Sequence, residues 1–180
     1  MSAPIAEQKH DSERSPEWPK FRDAFIAKNP DCTVCGKGRK DGVGVQAHHI
    51  FPFHYCIAFG RSDLELDDRN LITLCENEVD ESSNNHHVLV GHLDDFESSN
   101  LDVVHDAKVT YKGWTEARIE ADGGWQSKKA HRLPHLPQMS GGDKQAFKWA
   151  MTTRYPKAGQ SAGPKPAGLP AWIPSDLQRA

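Results

Sequence analysis

Apolar positions in the first half of the chain predict a helix, a turn and two short strands. Trp18, Phe21, Ala24 and Phe25 recur at helical spacing between Pro16 and Lys28, with Ser15 placed to cap the helix and Pro16 in its first turn. Asn29-Pro30-Asp31 ends that helix and leads into Cys32. After a turn at 39–42, Val43, Val45 and Ala47 alternate with Gly44, Gln46 and His48, the period of a short strand. Asn70-Leu71-Ile72-Thr73-Leu74-Cys75 reads as a second strand. Between them, Phe51-Pro52-Phe53-His54 reads as a rigid loop, 56–66 has no clear period, and Asp63–Asp68 reads as loop. The polar run 76–85 connects onward, with Asn85 placed to cap a helix starting near His86. One more helix is expected within 106–122, carrying Trp114, Ala117 and Ile119 and closed by Gly123-Gly124.

Toward both ends the pattern fades. Residues 1–14 are polar and are expected to be disordered. Seven of the twelve prolines follow residue 130, and 158–170 is low in complexity. The segment 123–180 is therefore expected to be a basic, Pro/Gly-rich tail with little regular structure beyond a short helix at 143–151. The expected organisation is an α+β unit over residues 15–122 with flanking helices, between two unstructured ends.

Composition adds a constraint. The 180 residues are 37% hydrophobic with a mean hydropathy of −0.70, so the core should be small, the kind a metal ion staples. No apolar run resembles a leader, and none approaches the roughly 20 residues that cross a bilayer, so the expectation is a cytoplasmic protein without membrane contact. Cysteines there stay reduced, and a Cys-x-x-Cys reads as metal-binding rather than disulfide-forming. The net charge of −3 conceals an asymmetry: residues 1–125 hold 13 Lys+Arg and 23 Asp+Glu, whereas 126–180 hold 9 and 2. A basic segment of this kind can track a polyanion, recruit a protein partner, or simply be solvated.

The chemistry gathers between Cys32 and His92. Cys32, Cys35 and Cys75 supply three of the four ligands of a structural zinc site, and His86 at the start of the expected helix is the best fourth, giving Cys3His. Cys56 has no partner in the pattern and reads as a buried thiol, as His54 reads as a packed side chain. His48 and His49 are adjacent at a strand end, so their side chains point to opposite sides. One imidazole can bind a metal while the next reaches a water, provided both border one cleft.

The combination of Cys-x-x-Cys at 32–35, His48-His49-Ile50, Asn70-Leu71-Ile72-Thr73-Leu74-Cys75 and a histidine on a helix resembles the HNH endonucleases, whose active site is the ββα-metal fold. The stretches Ser15-Pro16-Glu17-Trp18-Pro19, Gly91-His92-Leu93 and Phe96-Glu97-Ser98 are similar to a bacterial and bacteriophage subset, and the likeness covers roughly residues 15–105. It implies metal-dependent hydrolysis of DNA, with His48 and His87 as ligands of one divalent ion. His49 would be the general base, and Asn70 the brace that orients it. Cys32, Cys35, Cys75 and His86 would hold zinc.

His92 stands five residues after His87, about 140° round an ideal helix, so either Gly91 breaks the helix and lets it ligate, or it supports from behind. The working ion could be Mg2+, Mn2+, Ni2+ or Zn2+. Arg22, Lys37, Arg39 and Lys40 are the candidate phosphate contacts, with DNA as partner and no oligomeric state implied. A non-catalytic, zinc-stapled DNA-binding or interaction module on the same fold is the alternative.

Overall fold

The computed structural model describes residues 14–76 and 85–180. The expected disorder before residue 14 and most of the polar connection 76–85 lie outside the described residues.

Helix α1 spans Trp18–Lys28 and turns its Trp18, Phe25 and Ile26 inward. Strand β1, Val45–His49, pairs antiparallel with strand β2, Leu71–Cys75, in a register that sets His48 opposite Ile72 and His49 opposite Leu71. The two strands form a small two-stranded sheet within a mixed helix-and-sheet chain. All five residues of β2 are buried, because elements cover both faces of the ribbon. Trp18 of α1 lies against the ring of His49 on one side. Across the other face lies a wide helical turn, His87–Gly91.

Several local expectations change. Phe53 and His54 begin a short helix, α2 (Phe53–Ala58), rather than continuing a loop. The segment 62–70 folds as two tight turns, Ser62–Leu66 and Asp68–Asn70. The single helix expected within 106–122 is broken. Helix α3, Val103–His105, runs on into a wide turn at Asp106–Thr110, and α4 covers Glu116–Glu120. Gly113 at φ 75° makes the break, and the Thr115 side chain accepts from the Arg118 amide to start α4.

The largest correction concerns the segment expected to be a structureless tail. Gly123-Gly124 opens helix α5, Gly123–Ala130, instead of closing one, because Asp122 caps it through the Trp125 amide. Helix α6, Gly141–Arg154, extends the expected 143–151 piece in both directions and starts in a Ser140–Asp143 capping box. A last short helix, α7, spans Ser175–Arg179.

Trp125, Leu133, Met139, Phe147, Met151 and Ile173 are all buried. Phe147 packs on the rings of Phe51, Tyr55 and Phe59, with centroids 5.4, 5.3 and 5.1 Å away. Buried Arg61 donates to the Tyr155 carbonyl at 2.8 Å, and Tyr55 donates to that of Pro134 at 2.7 Å. Proline content and charge described the surface of this segment. Its helical spacing of Phe147, Ala150 and Met151 determined the fold, because the aromatic side of α2 needs a cover.

Truncating a buried aromatic of this kind costs about 3–5 kcal/mol. Phe147→Ala should lower the urea midpoint accordingly, and a midpoint equal to wild type would show that α6 does not cover the core.

Candidate metal centres

The first cluster is built by three elements. Cys32 and Cys35 stand on a knuckle that Gly36, at φ 73°, turns back, and the Gly36 amide bonds the Cys32 carbonyl at 2.8 Å. Cys75 ends β2, and His86 opens the wide turn. One ligand atom from each of Cys32, Cys35, Cys75 and His86 lies within 4.8 Å of the others. The Cys35 and Cys75 sulfurs are 3.9 Å apart, and His86 Nδ1 lies 3.1 Å from Cys75 Sγ and 3.8 Å from Cys32 Sγ. Ligands about 2.3 Å (S) and 2.0 Å (N) from one tetrahedral ion are separated by about 3.8 Å (S–S) and 3.5 Å (S–N). The donor set and spacing therefore fit zinc.

His86 Nε2–H donates to the Trp114 carbonyl at 3.2 Å, which leaves Nδ1 to face the sulfurs. The Tyr111–Trp114 corner that supplies this carbonyl is docked on the knuckle by Gly113 N to Val34 O and Lys112 Nζ to Thr33 O, both 2.8 Å. Hydrogen bonds from Cys32 and Cys75 hold the Cys35 thiol far below its usual range, while bonds to Cys32 and Cys35 push Cys75 up. Burial works against a charged His86, yet the sulfurs of Cys32 and Cys35 outweigh it and raise the imidazole to about 9. Cys56 is a buried thiol raised to about 12 by burial and lies outside this cluster.

The second cluster joins His48, His87 and His92, one ligand nitrogen from each within 4.8 Å of the others. The ring centroids are 5.2, 4.8 and 4.8 Å apart, and each pair is close to perpendicular. The convergence rests on the ligand nitrogens themselves, one from each ring within 4.8 Å of the others. The five-residue spacing of His87 and His92, awkward for an α-helix, is answered by the turn itself. His87–Gly91 is π-helical, and the His92 amide bonds the His87 carbonyl at 3.1 Å. At about 4.4 residues per turn, residues five apart diverge by only about 50° and share a face. Gly91 therefore sits inside the turn rather than breaking it. A Cβ there would meet the His48 ring at 3.0 Å and Leu74 at 3.1 Å, so any larger residue would have to push the His48 ring or Leu74 back.

Hydrogen bonds fix two of the rings. His87 Nδ1–H donates to Glu76 Oε2 at 2.5 Å, and His92 Nδ1–H donates to the Ser98 carbonyl at 2.8 Å, which leaves the Nε2 lone pair of each unused. His48 Nε2 lies 3.5 Å from Ser99 Oγ. Burial, reinforced by His92, His87 and His49, keeps His48 well below 6.5, and burial takes His92 to about 3. Burial works against ionised Glu76, but the bond from His87 leaves its carboxyl below the usual range. The π turn is held from behind by Asn100, whose backbone amide bonds Gly91 O at 2.8 Å and whose side chain bonds Val90 O at 2.9 Å. Asn100 is in turn bonded to Asp106 Oδ2 at 2.7 Å, and Lys128 neutralises Asp106 at 2.6 Å.

His49 is separate from this cluster, on the opposite side of β1. Its Nε2–H donates to the Glu65 carbonyl at 3.1 Å, which leaves Nδ1 as the acceptor. Its ring lies 4.6 Å from that of Trp18, and burial lowers its pKa to about 3. Asn70 is fully buried and ties two segments together. It accepts from Phe51 N at 2.8 Å and donates to Phe51 O and Leu64 O, both at 3.1 Å. It thus fastens the residue before Glu65 and the loop just after His49, without touching the ring.

Among the proposed phosphate contacts, Arg22 is paired with Asp23 at 2.9 Å and Lys40 with Asp31 at 2.8 Å, while Lys37 and Arg39 are exposed beside the knuckle. A third group, Asp102, His105 and Asp106, also lies within 4.8 Å. Lys128 Nζ occupies it already, 2.6 Å from Asp106 and 3.4 Å from Asp102. Sequence reasoning reads the acids of 76–81 as solvated loop, with one of them as an outside candidate to support the metal, and it passes over Asn100. Only the position of Glu76, directly after the last cysteine of a strand, could have pointed to it.

Two predictions follow from these environments. Cys75→Ser should lose zinc and lower the melting temperature, because structural zinc contributes directly to folding; zinc retained with an unchanged Tm would dissolve the first cluster. His48, His49 and His92 stay neutral in the fold, whereas unfolded histidines take up protons near 6.5. Their contribution is fully present above that pH and is lost as pH falls toward 3, by up to about 4 kcal/mol per unit for three such groups. Urea midpoints should therefore drop between pH 7 and pH 5; constant midpoints would mean that the rings take up protons in the fold as readily as in the unfolded chain. No family model matches the chain, and no curated protein or solved structure is significantly similar to it, so any functional reading starts from these two clusters.

Proposed function

We propose that the chain is a metal-dependent endonuclease of the HNH type that hydrolyses DNA phosphodiester bonds. The observation that carries this reading is the division of labour in the His48-His49 pair. One ring joins a three-imidazole cluster, and the next is held by a carbonyl with its other nitrogen available.

A divalent ion held by His48, His87 and His92 would supply positive charge against the non-bridging and leaving oxygens of the phosphate. Three nitrogen donors without a carboxylate suit Zn2+, Ni2+ or Co2+ better than Mg2+. His49 acts as the general base: its Nδ1 accepts the proton of the attacking water while Nε2–H stays on Glu65 O. Burial keeps His49 unprotonated at neutral pH, so its Nδ1 lone pair is present there, while the same burial weakens it as a base. Asn70 sets the height of that base by joining the Leu64 carbonyl to Phe51. The Cys32, Cys35, Cys75 and His86 site holds zinc and carries no step. Lys37 and Arg39 stand as phosphate contacts on the exposed knuckle turn.

One observation favours the non-catalytic alternative, a zinc-stapled DNA-binding module. His49 is 8% exposed, with the Trp18 ring against it, and a water must reach it past that indole.

Plasmid cleavage decides between the two. Zinc-containing protein supplied with Ni2+, Mn2+ or Mg2+ should nick supercoiled DNA, and His49→Ala should lower the rate by roughly 10²–10⁴-fold, the range of general-base catalysis, with zinc content unchanged. No cleavage with any ion, from folded protein that still shifts DNA, would select the binding module.

A further inference from the structure

The two clusters share two pairs of consecutive residues. Cys75 belongs to the thiolate site, and Glu76, the next residue, bonds a ligand of the imidazole site. His86 belongs to the thiolate site, and His87, the next residue, is that ligand. The chain therefore crosses from one site to the other twice, one residue at a time, and the two crossings meet. Cys75 Sγ lies 3.1 Å from His86 Nδ1, and Glu76 Oε2 lies 2.5 Å from His87 Nδ1.

Glu76 is not an incidental surface acid in this arrangement. Its backbone continues the β ladder, with its amide on the Gly44 carbonyl at 3.0 Å. Its side chain is only 24% exposed, and that of His87 only 13%. A carboxylate on Nδ1 of a metal-binding imidazole fixes the tautomer, aims Nε2 and strengthens the donor. The other two rings have weaker supports, a carbonyl for His92 and a hydroxyl 3.5 Å away for His48.

We propose that Glu76 is the positioning residue through which the thiolate site sets the imidazole site: an ion drawing Cys75 and His86 together brings Glu76 onto His87 and aims His87 at His48 and His92. This rests on the reading of the imidazole cluster as a metal site. Two properties follow. The imidazole site depends on an acceptor at position 76 more than on the charge there, because the hydrogen bond sets the ring. The thiolate site, which needs only the four atoms of Cys32, Cys35, Cys75 and His86, is indifferent to residue 76.

The test is a cobalt titration of the full chain with zinc held in the thiolate site, in wild type, Glu76→Gln and Glu76→Ala. Thiolate ligands give Co2+ an intense charge-transfer absorption that imidazoles lack, so the spectrum reports which site fills, independently of any cleavage. Wild type should bind one further equivalent with an imidazole-type spectrum. Glu76→Ala should weaken that equivalent by roughly 10–100-fold, the usual effect of losing such a partner. Glu76→Gln, which keeps an accepting oxygen, should recover most of the affinity. Zinc content and Tm should stay at wild-type values in both variants.

Equal cobalt affinity in all three proteins would overturn the role of Glu76 while leaving the metal site standing. Equal loss in the Gln and Ala variants would also overturn it as stated, since charge alone would then matter. If wild type takes up no second equivalent, the imidazole cluster is not a metal site, and the proposal falls with that reading.

Discussion

The constraint on which the rest depends is the convergence of Cys32, Cys35, Cys75 and His86. These residues come from a knuckle, a strand end and the residue that leads into a π turn, three short elements far apart in sequence. Among the described residues the sheet has two strands, and an isolated two-stranded ribbon is marginal in water. The turn that carries His87 and His92 is five residues long, too short to be stable alone. A zinc ion held by these four residues, which their spacing fits, would tie all three elements and replace the cooperativity that a longer helix or a wider sheet would supply. The surrounding packing serves the same end: the Tyr111–Trp114 corner closes over the knuckle and delivers the carbonyl that orients His86.

The π-helical form of His87–Gly91 is where backbone geometry and site chemistry meet. A wide turn wastes hydrogen-bonding capacity, and the chain compensates locally. Asn100 takes up the Val90 and Gly91 carbonyls, and Asp106 and Lys128 hold Asn100 in place. What the widening gains is the alignment of two histidines five apart on one face, with Gly91 leaving room for the His48 ring between them. Strain continues just beyond, where Leu93 and Asp94 both adopt left-handed backbone at φ 50° and 62°. Those residues reverse the chain so that Ser98 and Ser99 reach back to His92 and His48.

What could be read from the sequence was set by how local the governing interaction is. Helix α1, β1 and β2 follow from short-range periodicity, and the sequence reading places them within a few residues of their observed bounds. The four thiolate-site ligands were legible because metal ligands are few in kind and their spacing is constrained. The π turn was not, since nothing in His87-Val88-Leu89-Val90-Gly91 distinguishes a wide turn from a tight one. It is chosen by Asn100 and by the approach to His48. The C-terminal helices were misread for a related reason. Prolines and lysines report that segment's surface, whereas its order comes from Phe147, Met151 and Ile173 meeting an aromatic face that α2 offers from far away in sequence.

The contrast between the imidazole cluster and the Asp102–Asp106 cluster separates two kinds of buried polar group. Asp106 is fully buried, and its charge is met within the chain by Lys128 and Asn100. That cluster is complete, and its work is to hold α3 and α5 together and the π turn in place. His48, His87 and His92 are arranged in the opposite sense. Two of the rings spend their N–H outward, on Glu76 and Ser98, and keep their lone pairs for one another. Lone pairs cannot satisfy each other, and burial has made protonation of His48 and His92 costly. Under the proposed function, a divalent transition ion, rather than an ammonium group, would meet these three nitrogens. The imidazole cluster lies one residue away from the Cys3His cluster, at both Cys75–Glu76 and His86–His87. That adjacency is what the role proposed for Glu76 would use.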